Sequence, residues 1–163
     1  MSTPSHSLYV REASEFRPAT TQELLGAARG AIAKRFVRGR ALTSPAAVKE
    51  YLIMTLAHLD HEVFALVHVD SRHRWVGYTE LFRGTIDGAS VHPREVVKEV
   101  LRVNSSAVLA AHNHPSGQCS PSQADELITR HLRDCLGLIE VKLLDHIIVA
   151  GNETYSFAEH GCL

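Results

Sequence analysis

The sequence has few of the features that mark secreted, membrane-spanning or strongly basic proteins. Its only cysteines, Cys119, Cys135 and Cys162, are an odd number without the spacing of a disulfide framework, which favours reduced thiols in a cytosol. No run approaches the ~20 apolar residues that a membrane span needs, and residues 1–7 lack the charged and apolar regions of a secretory signal. The formal net charge is −1, so any contact with nucleic acid must come from a local patch. We therefore expect a cytoplasmic protein without membrane contact.

A length of 163 residues fits one domain with a sizeable core, and the sequence contains no internal repeat. Residues 1–19 are expected to form a loose arm. A helix from Thr20 to about Phe36 follows, and its first turn has a capping box. We place the domain boundary after this helix, which leaves residues 1–43 as an N-terminal arm and helix and residues 44–163 as the main domain.

The main domain is predicted to alternate helices and strands. Ser44-Pro45 begins a helix with proline at its first position, and short apolar runs separated by turn residues predict strands. The predicted elements are a helix over 44–59, strands over 62–69 and 75–82, a bend at Gly84-Thr85, a helix over 93–104, a strand over 107–112, a helix over 120–136, and three short strands over 138–144, 147–150 and 155–158. Helices interleaved with strands indicate an α/β fold with a mixed β-sheet flanked by helices.

Residues 112–125 contain side chains suited to holding one metal ion. His112 and His114 lie where a core strand gives way to a loop, so both imidazoles face the same way and Asn113 faces the other way. Asp125 follows at the start of the next helix and can supply a third donor. Because a catalytic zinc site needs three protein ligands and a fourth position for water, this set predicts zinc held by His112, His114 and Asp125. The same donor types also suit iron or manganese.

The start of that helix bears on the role of Ser122. Ser120 is a natural N-cap, with Pro121 as the first helical residue and Gln123 completing a capping box. This start places Ser122 and Asp125 three apart on one face of the helix, so the serine hydroxyl can point into the metal site. Ser122 is then expected to donate to the oxyanion of a hydrolytic reaction. Its alternative role is to serve only the helix terminus.

Hydrolysis at such a site also needs a general base. Zinc lowers the pKa of water from ~15.7 toward ~7, and a side chain within reach must take up the proton and pass it to the leaving group. Two glutamates are candidates, Glu62 at the start of one predicted strand and Glu80 near the end of the next. Sequence position by itself leaves the choice between them open.

The spacing of these residues resembles the JAMM (also called MPN+) signature of zinc-dependent isopeptidases, in which a His-x-His pair is followed by a serine and an aspartate. The surrounding sequence is similar to the RadC-like branch of that superfamily, and the similarity covers residues 44–163. The matching blocks are Glu80-Leu-Phe-Arg-Gly-Thr85, Val91-His-Pro-Arg-Glu95, Ala111-His-Asn-His-Pro-Ser-Gly117, Pro121-Ser122 and Asp145-His-Ile-Ile148.

The resemblance implies a JAB/MPN-like, cytidine-deaminase-like fold with zinc held by two histidines and an aspartate. It also implies a glutamate base at the start of an early strand, and the position that aligns here is Glu62. His92 and His146 lie in matching blocks and are expected to line the cleft or hold loops. Longer RadC-like proteins carry a helix-hairpin-helix segment ahead of this domain, so this chain is expected to be the short, stand-alone form.

The leading hypothesis is therefore a zinc-dependent metallohydrolase that cleaves a peptide or isopeptide bond of an unidentified polypeptide, with the amide preference supplied by the resemblance. The alternative is a DNA-associated repair or processing factor without protease activity. A third hypothesis is a binding module whose zinc is structural. The local patch that would serve DNA binding is the basic cluster of Lys34, Arg35, Arg38 and Arg40. The sequence leaves the oligomeric state open.

Overall fold

The chain divides into two compact units, residues 1–35 and residues 36–163. The computed structural model describes residues 8–12, 15–42, 44–84 and 91–163. The domain boundary after residue 43 stays a prediction, as does the cytoplasmic location. Within the described ranges no helix is both long enough and apolar enough to cross a bilayer.

The first unit contains a β-hairpin ahead of its helix. Its elements are β1 (Tyr9–Glu12), β2 (Glu15–Pro18) and α1 (Thr21–Ala33). The expectation of a loose arm over residues 1–19 is therefore wrong for the described part of that range. Arg17 forms ion pairs with Glu12 at 2.8 Å and with Glu23 at 2.7 Å. Because main-chain pairing and ion pairs hold this hairpin, the sequence shows no apolar period that would predict it. The predicted capping box of Thr20 and Glu23 at the start of α1 is confirmed.

The second unit is a mixed α/β structure, which confirms the predicted fold class. Its elements are α2 (Pro45–Leu56), β3 (Val63–Val69), β4 (Trp75–Arg83), α3 (Pro93–Val103), β5 (Ala107–Asn113), α4 (Gln123–Gly137), β6 (Lys142–Ala150) and β7 (Glu153–Ser156). The five-stranded sheet has the order β4-β3-β5-β6-β7. β5 and β6 are parallel, and the other neighbouring strands are antiparallel. The bend predicted at Gly84-Thr85 lies partly outside the described residues.

The last part of the chain has two strands where three are predicted. β6 is continuous through Asp145 and His146, two polar residues that look like a break in an apolar run. Both are buried. The Asp145 carboxylate accepts hydrogen bonds from the Ser156 hydroxyl at 2.6 Å and from the main-chain N–H groups of His146 and Ala158. Because these partners satisfy the buried carboxylate, the strand continues where its polarity predicts an interruption.

The two faces of the sheet have different neighbours. On one face, Phe64 and Leu66 of β3 belong to a core cluster with residues of α3 and α4, including Val96, Val100, Leu132 and Leu136. Side chains alternate along a strand, so Ala65 and Val67 face the other way. On that second face the Tyr51 ring of α2 lies 5.7 Å from the ring of Tyr78, the cross-strand neighbour of Val67. Side chains on the same face of the sheet as Phe64 therefore lie on the α3 and α4 side.

Glu99 of α3 is a buried carboxylate that contacts β4. It is 9% exposed and accepts hydrogen bonds from Arg102 at 2.7 Å and from the Thr79 hydroxyl at 2.9 Å. The Arg102 hydrogen bond is the main reason that the pKa of Glu99 is lowered from 4.5 to about 2. The ionised form is thus favoured in the folded state. Its contribution to stability is present above pH 4.5 and is lost as the pH falls toward 2.

We expect the unfolding free energy of Glu99→Gln to fall less than that of wild type as the pH drops from 4.5 to about 2. Urea denaturation at a series of pH values, with a chelator present, measures the change. Glu95→Gln is the matched control, because Glu95 pairs with Lys98 on the exposed surface of the same helix. If both variants follow the wild-type pH dependence, Glu99 does not stabilise the fold through its charge.

Candidate metal centre

Three side chains meet where β5 ends and α4 begins. The Nε2 atom of His112 lies 2.9 Å from Nε2 of His114 and 3.1 Å from Oδ1 of Asp125. The Nε2 atom of His114 lies 3.6 Å from Oδ2 of the same carboxylate. His112 is 1% exposed, and the Asp125 side chain is 13% exposed. The three predicted ligands therefore form one largely buried cluster that could hold a metal ion.

A hydrogen bond from the outer ring nitrogen of His114 leaves the lone pair of its other nitrogen facing the cluster. The Nδ1 atom of His114 lies 2.7 Å from the main-chain oxygen of Gln118. That oxygen can only accept, so Nδ1 carries the hydrogen and Nε2 presents a lone pair to the cluster. Asn113 faces away, as predicted, and its Oδ1 accepts a hydrogen bond from the Val63 main-chain N–H at 2.8 Å.

The charge and spacing of these donors fit one cation. Burial by itself would raise the pKa of the Asp125 carboxyl, but the adjacent imidazoles of His112 and His114 outweigh burial and hold it well below its usual range. The carboxylate is thus ionised, as a metal ligand must be. The ligand-atom separations of 2.9, 3.1 and 3.6 Å are all shorter than twice a zinc–nitrogen bond of about 2.0 Å. These separations are compatible with one ion held by all three side chains.

The start of α4 differs from the prediction in a way that matters for the site. The N-cap is Ser122, so the prediction of Ser120 as the cap and Pro121 as the first helical residue is wrong. The Ser122 hydroxyl accepts from the Asp125 N–H at 3.2 Å. The Asp125 carboxylate accepts from the Ser122 N–H at 2.7 Å and from its hydroxyl at 2.6 Å. A charged carboxylate makes stronger hydrogen bonds than the Gln123 amide of the competing box.

Ser122 itself caps α4, whereas its predicted catalytic role left the cap position to Ser120. Its single hydroxyl hydrogen is donated to Asp125 Oδ2. The geometry therefore assigns Ser122 to orienting the carboxylate. Donation to an oxyanion stays a prediction.

Of the two candidate bases, Glu62 lies beside the cluster. It immediately precedes β3 and lines a cavity of about 200 Å³ together with His112 and Asp125. Glu80 pairs with Ala65 across β3 and β4, and the Tyr78 hydroxyl donates to its Oε1 at 3.4 Å. This places Glu80 on the face that carries α2, opposite Phe64 and His112. The geometry therefore favours Glu62.

Two residues lie behind His112, of which Thr129 was not singled out from the sequence and His146 was expected to line the cleft or hold a loop. His146 is fully buried, and its Nε2 lies 2.9 Å from Nδ1 of His112. Thr129 is 1% exposed, and its hydroxyl lies 2.6 Å from Nδ1 of His146. His146 thus lies in the core and not in a loop. The available signal was its matching block in the sequence, together with a threonine one helical turn after Asp125.

His92 and Cys119 are not members of the donor cluster formed by His112, His114 and Asp125. His92 is the N-cap of α3, and its ring lies 6.0 Å from that of Phe82. The Cys119 thiol contacts the main-chain oxygen of Ile148 at 3.7 Å. The described residues provide no observation that favours the basic cluster of Lys34, Arg35, Arg38 and Arg40 as a DNA-binding patch. DNA contact stays a prediction.

A mixed sheet flanked by helices, with two histidines and an aspartate gathered at the end of a central strand, defines a metal-dependent hydrolase-like domain. A model of the RadC-like JAB domain matches residues 42–162. The chain therefore belongs to the RadC-like JAB domain family, which confirms the resemblance found in the sequence.

The chain is also similar to several curated bacterial proteins. It is 54% identical over 141 residues to a UPF0758 protein of Vibrio cholerae serotype O1, covering 86% of this chain and 89% of the relative. It is 54% identical over 126 residues to a UPF0758 protein of Nitrosococcus oceani, covering 77% and 56%. A UPF0758 protein of Thioalkalivibrio sulfidiphilus is 50% identical over 145 residues, covering 89% and 65%. The aligned region thus spans most of the first relative and less than two thirds of the other two.

Proposed function

We propose that this chain is a zinc-dependent hydrolase that cleaves a peptide or isopeptide bond. The observation that supports the proposal most strongly is the position of Glu62. It lines the same cavity as His112 and Asp125, two of the three clustered donors. A base and a metal-ligand set therefore face one small volume, as hydrolysis by an activated water requires.

The residues of the cavity have separate tasks in this mechanism. His112, His114 and Asp125 would hold zinc, which when bound acidifies water and polarises a carbonyl group. Glu62 accepts a proton from the attacking water and returns it to the leaving amine, so that the carboxylate is regenerated. The apolar side chains of Phe64 and Ile128 also line the cavity.

Metal content and amide hydrolysis test the proposal together. The full chain, purified in the presence of zinc, is expected to contain stoichiometric zinc by elemental analysis. A quenched-fluorescent peptide library and a fluorogenic lysine ε-amide then test for cleavage. Activity lost with a chelator and restored by zinc supports the proposal. A protein that binds no zinc, or binds it without cleaving any amide probe, contradicts it.

The same chelator experiment separates a catalytic ion from a structural one. Structural zinc is usually closed by four protein ligands, and three such donors are clustered among the described residues. We therefore expect the zinc-free protein to stay folded by near-ultraviolet circular dichroism while it loses activity. Unfolding on removal of zinc would instead indicate a structural site.

Ser122→Ala distinguishes the two roles of the serine. Because the hydroxyl orients Asp125 and caps α4, we expect zinc affinity to fall about 10-fold and the unfolding free energy to fall by about 1 kcal/mol. Ser122→Thr keeps a hydroxyl and is the control. An unchanged zinc affinity with a kcat reduced about 10²–10³-fold would instead show that Ser122 stabilises an oxyanion.

A further inference from the structure

A row of hydrogen-bonded groups runs from His112 away from the cavity and into the core. Nδ1 of His112 lies 2.9 Å from Nε2 of His146. Nδ1 of His146 lies 2.6 Å from the Thr129 hydroxyl, which lies 2.5 Å from the main-chain oxygen of Asp125. These four groups are called the buried row. It starts at one proposed zinc ligand and ends on the backbone of another.

The hydrogens of the buried row can be placed from its far end. The main-chain oxygen of Asp125 can only accept, so the Thr129 hydroxyl donates its single hydrogen there. The Thr129 oxygen then accepts from Nδ1–H of His146. A neutral imidazole has one N–H, so Nε2 of His146 is an acceptor and takes the hydrogen bond from Nδ1–H of His112. The lone pair of His112 is thus at Nε2, which faces His114 and Asp125.

The surroundings of the buried row hold its second imidazole in place. The His146 ring is stacked on Phe157 at a centroid distance of 5.0 Å and an interplanar angle of 12°. The Phe64 ring meets it edge-on at 5.6 Å. His146 itself is 0% exposed. Water therefore does not replace the partners of this ring, and neighbouring rings resist its rotation.

We propose that His146 and Thr129 are positioning residues that keep His112 in the Nδ1–H tautomer, the form whose Nε2 can bind a metal ion. Metal-ligating histidines usually donate their second N–H to a carboxylate, a carbonyl or water. Here a second imidazole accepts that hydrogen, and a helix hydroxyl orients the imidazole. The link to zinc rests on the proposed function, whereas the tautomers are properties of the protein without metal.

The zinc affinity of a Thr129→Val variant tests the metal-directed part of the proposal. Valine has nearly the same shape as threonine but no hydroxyl, so Nδ1–H of His146 loses its acceptor and the tautomer of both rings is no longer set. We expect about 10–100-fold weaker zinc binding, the usual cost of losing an outer partner of a ligand. Competition with a chromophoric chelator measures it.

Thr129→Ser restores the hydroxyl and is the matched control, expected to bind zinc within about three-fold of wild type, well inside the cost of an outer-partner loss. Equal affinities of the valine variant, the serine variant and wild type would overturn the proposal. Thermal unfolding with a chelator present shows whether the valine variant is folded at the assay temperature. If it is not, the tautomer measurement on wild type decides.

Nuclear magnetic resonance reads the tautomers directly in the zinc-free full chain. Long-range ¹H–¹⁵N correlations of the imidazole rings distinguish Nδ1–H from Nε2–H forms. We expect Nδ1–H for both His112 and His146 in wild type, and the loss of this single form in Thr129→Val. An Nε2–H form of His146 in wild type would overturn the proposal. A wild-type protein with these tautomers but no zinc binding would instead contradict the proposed function alone.

Discussion

Replacing His112 by alanine is expected to abolish stoichiometric zinc binding. His112 contributes one of three clustered donors, and its Nε2 lies within 3.1 Å of both other ligand groups. Loss of an outer partner of a ligand costs about 10–100-fold in affinity, so loss of the ligand itself should exceed ~100-fold. Elemental analysis after dialysis, followed by chelator competition, measures the change.

The control for this variant is His131→Ala, which removes an exposed histidine of α4. His112 is buried and contacts His146, so its truncation also leaves a cavity. His112→Gln, which keeps most of the volume, separates a lost ligand from a lost fold. If His112→Ala stays folded and retains stoichiometric zinc, the metal site is elsewhere.

Glu62→Gln is expected to retain stoichiometric zinc and to lose turnover by about 10²–10⁴-fold, the usual contribution of a general base. The amide has the shape of the carboxylate but cannot take a proton from water. The measurement is the initial rate on the library peptide that wild type cleaves best, with zinc content determined on the same sample.

Glu80→Gln is the matched control. Because Glu80 lies on the opposite face of the sheet, this variant is expected to leave turnover unchanged. Equal activity of Glu62→Gln and wild type would remove Glu62 from the mechanism. A loss confined to Glu80→Gln would assign the base to Glu80 and contradict the geometry of the cavity.

The predictions that the structure corrects involve local sequence signals that compete with one another or depend on distant partners. Two serines, Ser120 and Ser122, each stand at the start of a possible capping box, and the box that forms is the one with the carboxylate of Asp125. Asp145 and His146 look like an interruption of a strand because burial of polar groups depends on partners elsewhere in the chain. The β1–β2 hairpin leaves no apolar period, because main-chain pairing and ion pairs hold it.

The clustering of the three predicted metal ligands was predictable because its geometry is local. His112 and His114 alternate on the same face at the end of one strand, and Asp125 lies at the start of the helix that follows. The mixed sheet flanked by helices was likewise predictable, because strand and helix periods act over short stretches of chain. These features depend on backbone geometry between near neighbours, which the order of residues already contains.

The tertiary structure decided which distant groups join that set. Strand register brings Glu62 to the cavity and puts Glu80 on the opposite face, although both are glutamates beside core strands. Parallel pairing of β5 with β6 places His146 behind His112, 34 residues away in the chain. Such neighbours depend on sheet order and side-chain alternation across strands, and local sequence patterns do not specify which strand lies beside which.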